Sequence, residues 1–470
     1  MASLQFHGGS DENVAYAERD LDVQRVRQLF GVHLKIQWAI GMMPMPSLPA
    51  WLPDWLQSLL RLFTVGHCLL VLSISLHLGL LFSKTTLDAL PTGKLEDITD
   101  ALTMTIIYFF TAYATSYWCL RSKRMLRFLA HINQGYRHHS LAGVCFVNMH
   151  STYRWFRSFT LVWLSACLSG VISWGITPLM MGNRTLPLHC WYPFDAMDEH
   201  FYSIVYAVQL YGQITVGTVF AYGGFMFVSL SFLLLGQFDV LYCSLKNLDA
   251  HARLLAGESV QALSVLQREL LLDDETHELG QYAVLHEHAT DLHSFVLTRR
   301  QPPQSLTKAA HGALVECVKL HHFILGCAAE LEELFSPYCL FKSLQITLQL
   351  CLLVFVGVSG SREAMRVINQ LQYLVLTTIE LLMFTYCGEM LRRHSIRVVD
   401  AFGRGAWWQH APSMRQDLLI FLVNSHRAVQ VTAGKFYVMD ITRLRLVITQ
   451  AFSFLTLLQK LAAKKPVAEA

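Results

Sequence analysis

The chain has 470 residues, of which 53% are hydrophobic and only 15% are charged, against about 25% charged residues in an average soluble protein. This composition excludes a disordered chain, a coiled coil, a collagen and a small disulfide scaffold. A formal charge of +3 without a basic stripe gives no support for a nucleic-acid partner. The apolar residues come in long blocks, which predicts an all-α membrane protein.

Seven apolar runs predict membrane-spanning helices, because a bilayer core needs about 20 mostly apolar residues per helix. The first six are predicted at residues 59–82, 98–120, 159–179, 201–235, 340–358 and 368–387. The seventh is predicted as one helix split near Gly434, with halves at 418–431 and 446–458. A mixed apolar and aromatic segment at 26–55 is expected to lie on the inner membrane surface before the first span.

The distribution of Lys and Arg predicts the orientation of these spans. Five basic residues follow the second span and five follow the sixth, whereas the loops on the other side carry one or two each. Positively charged loops stay in the cytoplasm, so we expect a cytoplasmic N-terminus and an extracellular C-terminus, the inverse of a G-protein-coupled receptor. Asn183 is then a glycosylation acceptor in an outer loop. No cleavable signal peptide is visible.

The spans divide the chain into six expected segments. They are a cytoplasmic N-terminal segment (1–58), spans one to four with an outer ligand pocket (59–235), a helical cytoplasmic extension (236–336), spans five and six (337–390), a cytoplasmic loop with the inner half of the seventh helix (391–434), and its pore-lining outer half with the tail (435–470). Apolar residues recur at helical spacing in the cytoplasmic extension. Such stripes need a partner, and contact between subunits is the expected one.

The sequence carries no recognisable catalytic motif. It lacks a nucleophile elbow, a phosphate-binding loop and a zinc-protease helix. Its 21 histidines make a membrane metalloenzyme the sharpest alternative, but clusters such as His138–His139 and His321–His322 do not have the spacing of metal boxes. We therefore expect no enzyme activity, no bound metal and no cofactor.

Polar and aromatic residues inside the spans are the better indication of function, because they are costly in lipid. They concentrate in the second, third, fourth and sixth spans, where they would either line a pocket for a small apolar ligand or hold helices together. In the last helix, small polar residues and a lysine recur at spacings of four, three and four. This stripe is typical of a pore helix or of a packed terminal helix, and it consists of Thr449, Ser453, Thr456 and Lys460.

Several motifs resemble the insect odorant receptor family. They include Tyr386-Cys387-Gly388-Glu389, Trp407-Trp408, Ala433-Gly434-Lys435-Phe436 and Phe452-Ser453-Phe454-Leu455-Thr456-Leu457-Leu458, with a looser likeness at Cys190-Trp191-Tyr192-Pro193-Phe194-Asp195. Within the family, the chain is most similar to the receptors of bristletails. The likeness runs from the first span to Leu461.

This resemblance implies a ligand-gated, non-selective cation channel of four subunits around one pore in the plasma membrane. Monovalent and divalent cations would pass, and a small volatile organic ligand would bind in each subunit. Carried over to this chain, the expected pocket residues are Tyr108, Phe109, Gly170, Trp174, Leu210, Ile214 and Tyr373. The expected gate residues are Leu457, Leu458, Gln459 and Leu461.

The bristletail likeness implies a homotetramer. The alternatives are a tuning subunit that conducts only with the odorant co-receptor, and a gustatory-type receptor of the same fold. The long cytoplasmic loop is closer to the co-receptor in length, but the co-receptor's own characteristic sequence is not evident there.

Overall fold

The fold is a bundle of long helices. A computed structural model of the chain describes residues 33–43, 53–91, 95–137, 146–148, 150–180, 185–258, 287–289, 305–359, 364–405, 408 and 411–463. In chain order the helices are α1 (33–39), α2 (Asp54–Ala89), α3 (Leu95–Gly135), α4 (His150–Met180), α5 (Glu199–Lys246), α6 (Leu248–Ala256), α7 (Leu306–Ser359), α8 (Ala364–Arg397), α9 (Asp400–Arg404), α10 (Ala411–Ser425) and α11 (Ile441–Ala463).

Two small antiparallel sheets, which the sequence analysis did not predict, interrupt the helices. Strands β1 (Phe146–Asn148) and β2 (Glu287–Ala289) form one pair. Strands β3 (Thr432–Ala433) and β4 (Tyr437–Val438) form a hairpin between α10 and α11.

Within the described part of the chain, five helical stretches are long and apolar enough to cross a bilayer. They are Asp54–Ala89, Ser158–Ile176, Glu199–Lys246, Leu306–Phe355 and Leu371–Arg397. They agree with the predicted first, third, fourth, fifth and sixth spans. The predicted second span lies in α3, which is less apolar because Tyr and Thr residues are frequent in it, and the predicted seventh corresponds to α10 and α11.

Helix α5 is the centre of the bundle. Asp198 caps its N-terminus by accepting a hydrogen bond from the backbone N–H of His200 at 3.1 Å. Nearly every side chain from 217 to 246 is buried, as expected for a helix that is apolar on all sides. Aromatic rings from α3, α7 and α8 pack around it, with Phe227 stacked on Phe384 at a centroid distance of 5.0 Å.

Two long helices continue past the predicted fourth and fifth spans into the segment predicted as a cytoplasmic extension. Helix α5 reaches Lys246, and α7 runs without interruption from Leu306 to Ser359 through Pro337. The expected boundary between 336 and 337 therefore lies inside one rigid helix. The apolar stripe at 263–270 lies outside the described residues.

The segment before the first span packs against the bundle. His33 is buried, and its Nδ1 lies 2.5 Å from the Tyr222 hydroxyl of α5. Met42 and Met43 are fully buried in the main core. The described part of this segment therefore contacts helices, in addition to any contact with the membrane surface.

Candidate functional site

A cavity of about 90 Å³ lies between α3, α4, α5 and α8, beneath the loop that precedes α5. A single water needs about 10–15 Å³ in this measure, so the cavity has room for a compact organic molecule. Most of the lining side chains are aliphatic or aromatic, which is usual for a site that holds a small apolar ligand. The lining residues are Met104, Ile107, Tyr108, Cys167, Gly170, Val171, Trp174, Leu188, Gln213, Val216, Gly217, Phe220, Gln372, Tyr373 and Leu376.

Aromatic rings form the walls of this cavity. Tyr108 is buried and stacks on Phe82 of α2 at a centroid distance of 5.7 Å. Phe220 of α5 and Tyr373 of α8 are 6.0 Å apart. On the α4 side, Gly170 allows α4 and the Gln372 side chain to pack closely, because a Cβ at this position would lie 3.0 Å from the Gln372 Nε2 atom.

The loop at 185–198 covers one end of the cavity through Leu188. The buried Gln209 side chain holds this residue by both of its backbone groups: Oε1 accepts from the Leu188 N–H at 3.0 Å, and Nε2 donates to the Leu188 carbonyl at 3.1 Å. Nε2 also donates to the Tyr192 hydroxyl at 3.1 Å. Burial raises the pKa of the Cys190 thiol to about 11, so this loop cysteine stays protonated.

Four of the seven predicted pocket residues line this cavity together, namely Tyr108, Gly170, Trp174 and Tyr373. The other three do not. Phe109 is 39% exposed and lies over Gly79 of α2, and Ile214 is 39% exposed. Leu210 packs against α4 near Gly175. Adjacent helix positions point about 100° apart, so the neighbours Tyr108 and Phe109 face different surroundings.

A buried ion pair lies behind the cavity wall. Lys342 Nζ of α7 is 3.0 Å from Glu380 Oε2 of α8, and both side chains are 1% exposed. The ammonium also lies 4.2 Å from the ring centroid of Phe220, which lines the cavity, and 4.7 Å from that of Phe110. Sequence reasoning did not predict this pair. The signal in the sequence was one basic residue, Lys342, in the fifth apolar run and one acidic residue, Glu380, in the sixth.

Helix α11 packs on its own chain by only one face. Leu444, Val447 and Ala451 contact a small cluster from α7 and α8 that includes Ile346 and Leu381. The remaining surface is exposed, with Phe452 at 61%, and so is the predicted polar stripe. That surface includes Thr449, Phe452, Ser453, Phe454, Thr456, Leu457 and Lys460, together with apolar side chains such as Leu446 and Ile448.

The predicted gate residues lie at the end of α11. Leu457 is 51% exposed. The side chains of Leu458, Gln459 and Leu461 lie outside the described part, and so does Asn183.

The β3–β4 hairpin ties α11 to α7. Its turn has left-handed backbone at Gly434 (φ 60°) and Lys435 (φ 66°), and the Gly434 N–H donates to the Ser336 carbonyl at 2.8 Å. Glu332 of α7 accepts from the Thr432 N–H at 2.8 Å and from Lys435 Nζ at 2.7 Å. The predicted break near Gly434 is thus a tight hairpin anchored on the long helix.

Within the described residues, no group of three or more His, Cys, Asp or Glu side chains could hold a metal ion. The His321 ring packs against that of Phe421, with the centroids 4.9 Å apart and the ring planes tilted by 55°. Histidines 138, 139, 286 and 288 lie outside the residues whose side chains are described.

Comparison with known proteins identifies the family. The sequence model described as 7tm Odorant receptor matches residues 94–452. The chain is 64% identical to putative odorant receptor 85e of Drosophila melanogaster, over all of both chains. It is 34% identical to odorant receptor 83a of the same species, over 83% of this chain and 86% of the relative.

Solved structures show the same fold. The olfactory receptor OR5 of Machilis hrabei, solved in complex with eugenol, matches with a TM-score of 0.69 at 12% identity, over 93% of this chain and 99% of that one. A second structure of the same receptor matches with a TM-score of 0.68. The likeness to this bristletail receptor is therefore one of fold, whereas the sequence is far more similar to receptor 85e of Drosophila melanogaster. The chain belongs to the seven-transmembrane odorant receptor family.

Proposed function

We propose that the chain is a subunit of an odorant-gated, non-selective cation channel in the plasma membrane, with one central pore in a tetramer. A small volatile ligand binds the cavity between α3, α4, α5 and α8 in each subunit. The N-terminus is cytoplasmic and the C-terminus extracellular. Helices α10 and α11 are the two halves of the seventh span, and α11 lines the pore.

The exposed face of α11 is the observation that carries the channel proposal. A helix at membrane depth that leaves small polar side chains uncovered by its own chain needs water or a neighbouring subunit beside it. Four copies of α11 around a central axis supply both. Thr449, Ser453 and Thr456 then face a wet path, and the leucines at its outer end form an apolar constriction.

Gating follows from where the cavity lies. A ligand shifts the closed–open equilibrium only by as much as it binds the open state more tightly. The cavity wall contains Phe220, which contacts Lys342 of α7, and α7 is one of the two helices on which α11 packs. A change in the wall therefore has a short physical route to the pore helix.

Whole-cell current in cells expressing this chain tests the proposal. Cells receive a panel of volatiles that includes eugenol, with the chain alone and with the odorant co-receptor. Ligand-evoked, non-selective cation current from the chain alone establishes a homomeric channel. Current that needs the co-receptor makes the chain a tuning subunit. Surface-expressed protein that stays silent in both settings contradicts the channel proposal.

The gate assignment has its own test. Leu461→Ser should raise the ligand-free current, because a polar side chain lets water fill the constriction. Val447→Ser, on the packed face of α11, is the matched control. Equal ligand-free current in the Leu461 variant and the wild type would remove this position from the gate.

A further inference from the structure

Three glutamines surround the cavity, and their hydrogen bonds differ. Gln209 is fully paired with the backbone of Leu188. Gln372 Nε2 donates to the Ser169 hydroxyl at 3.3 Å. Gln213 is only 5% exposed, and neither its Oε1 nor its Nε2 has a hydrogen-bond partner among the described residues.

The surroundings of Gln213 make this unpaired amide costly. Its neighbours in the cavity lining are apolar, including Ile107, Val216 and Phe220. A buried amide without a partner has lost its hydrogen bonds to water and has not replaced them, which costs free energy. Among the described lining residues, two buried polar groups therefore gain from a polar atom on a ligand, the Gln213 amide and the Tyr373 hydroxyl. Only the amide presents its donor and its acceptor on separate atoms, and the walls around it favour an otherwise apolar body.

We propose that Gln213 is the polar anchor of this cavity and selects volatiles that carry one carbonyl or hydroxyl group on a compact apolar body. A carbonyl oxygen accepts from the Gln213 Nε2–H, and a hydroxyl donates to its Oε1. A hydrocarbon of the same shape fills the same space but leaves the amide unpaired. This inference rests on the proposed function only in taking the cavity as the ligand site.

A buried amide without a partner discriminates strongly between ligands that can hydrogen-bond to it and ligands that cannot. A site that provides a hydrogen bond rejects the analogue that cannot make it, because the protein group stays unpaired in that complex. The cost of one such unmade bond corresponds to about a 5- to 150-fold difference in affinity. We expect this range between a ketone and the alkene in which the oxygen is replaced by a CH₂ group.

Thermal unfolding of the purified full-length protein in detergent tests the proposal without any ionic current. The probes are two shape-matched pairs, acetophenone with α-methylstyrene and cyclohexanone with methylenecyclohexane. Because a ligand that binds only the folded state raises the melting temperature, titration yields an apparent Kd for each probe. The wild type should bind at least one ketone about tenfold or more tightly than its alkene. Gln213→Met should reduce this preference to within about threefold.

Two further variants separate anchoring from general damage. Gln372→Met also alters the lining, but its amide is already paired, so the ketone preference should persist. Gln213→Met should also raise the ligand-free melting temperature, since it removes an unpaired buried amide, and Gln213→Leu provides the same test should the methionine variant fold poorly. No ketone preference in either pair, or an unchanged preference in the Gln213 variants, overturns the inference. A channel that stays silent while the preference holds overturns only the proposed function.

Discussion

The Lys342–Glu380 pair provides the sharpest test of the packing described above. The ammonium and the carboxylate are 3.0 Å apart, each side chain is 1% exposed, and the rings of Phe220 and Phe110 flank the lysine. Neither charge has access to water, so each depends on the other. We consider three changes, namely Lys342→Met, Glu380→Leu, and both together.

The expected free energies follow from the asymmetry between breaking and replacing such a pair. Removing one partner leaves an uncompensated buried charge and costs about 3–5 kcal/mol. Replacing both partners by apolar residues of similar volume is often neutral or stabilising, by up to about 4 kcal/mol. The double variant should therefore be at least as stable as the wild type, although each single variant is strongly destabilised.

The assay is the melting temperature of the detergent-solubilised protein, followed by size-exclusion chromatography after heating. Lys84→Met is the matched control, because Lys84 pairs with Asp88 while both are nearly half exposed, and an exposed pair contributes about 1 kcal/mol or less. A double variant that is no more stable than Lys342→Met alone would refute the reasoning, since it would show that the two charges do not compensate each other.

Further predictions test separate parts of the structure. Gly388→Ala should reduce folded protein at the cell surface, because the added Cβ would collide with the backbone carbonyl of Met439; Gly326→Ala, in open space on α7, should leave surface expression unchanged or improved. Trp174→Ala should raise the half-maximal ligand concentration at least about tenfold while the oligomer stays intact by size exclusion, and loss of the oligomer would count against its place in the cavity wall.

The sequence was a good guide to the spans and to their extensions. Five of the seven runs form helices that meet the length and hydropathy expected of a span, and α5 and α7 continue past the predicted fourth and fifth spans. The second run was harder to recognise by hydropathy because its Tyr and Thr residues, which include part of the cavity wall, lower its apolar character. The motifs at the C-terminal end were sufficient to identify the family.

The pocket was only partly predictable, for a geometrical reason. The sequence indicated which four helices contribute, because polar and aromatic residues cluster in their apolar runs. It did not set the rotation of each helix about its axis, and in the structure Tyr108 lines the cavity whereas Phe109, Leu210 and Ile214 do not. Ligand binding by the four lining residues remains a prediction.

By itself, the sequence determined that this chain is a helical membrane protein of the odorant receptor family, because hydropathy and local motifs are properties of contiguous residues. Only the tertiary structure decided that Gln213 lies in the cavity wall without a hydrogen-bond partner among the described residues, while Gln209 and Gln372 each have one. It also brought together Lys342 and Glu380, which are 38 positions apart on different helices. Such pairings depend on the phase and crossing of packed helices, and no local pattern along the chain specifies them.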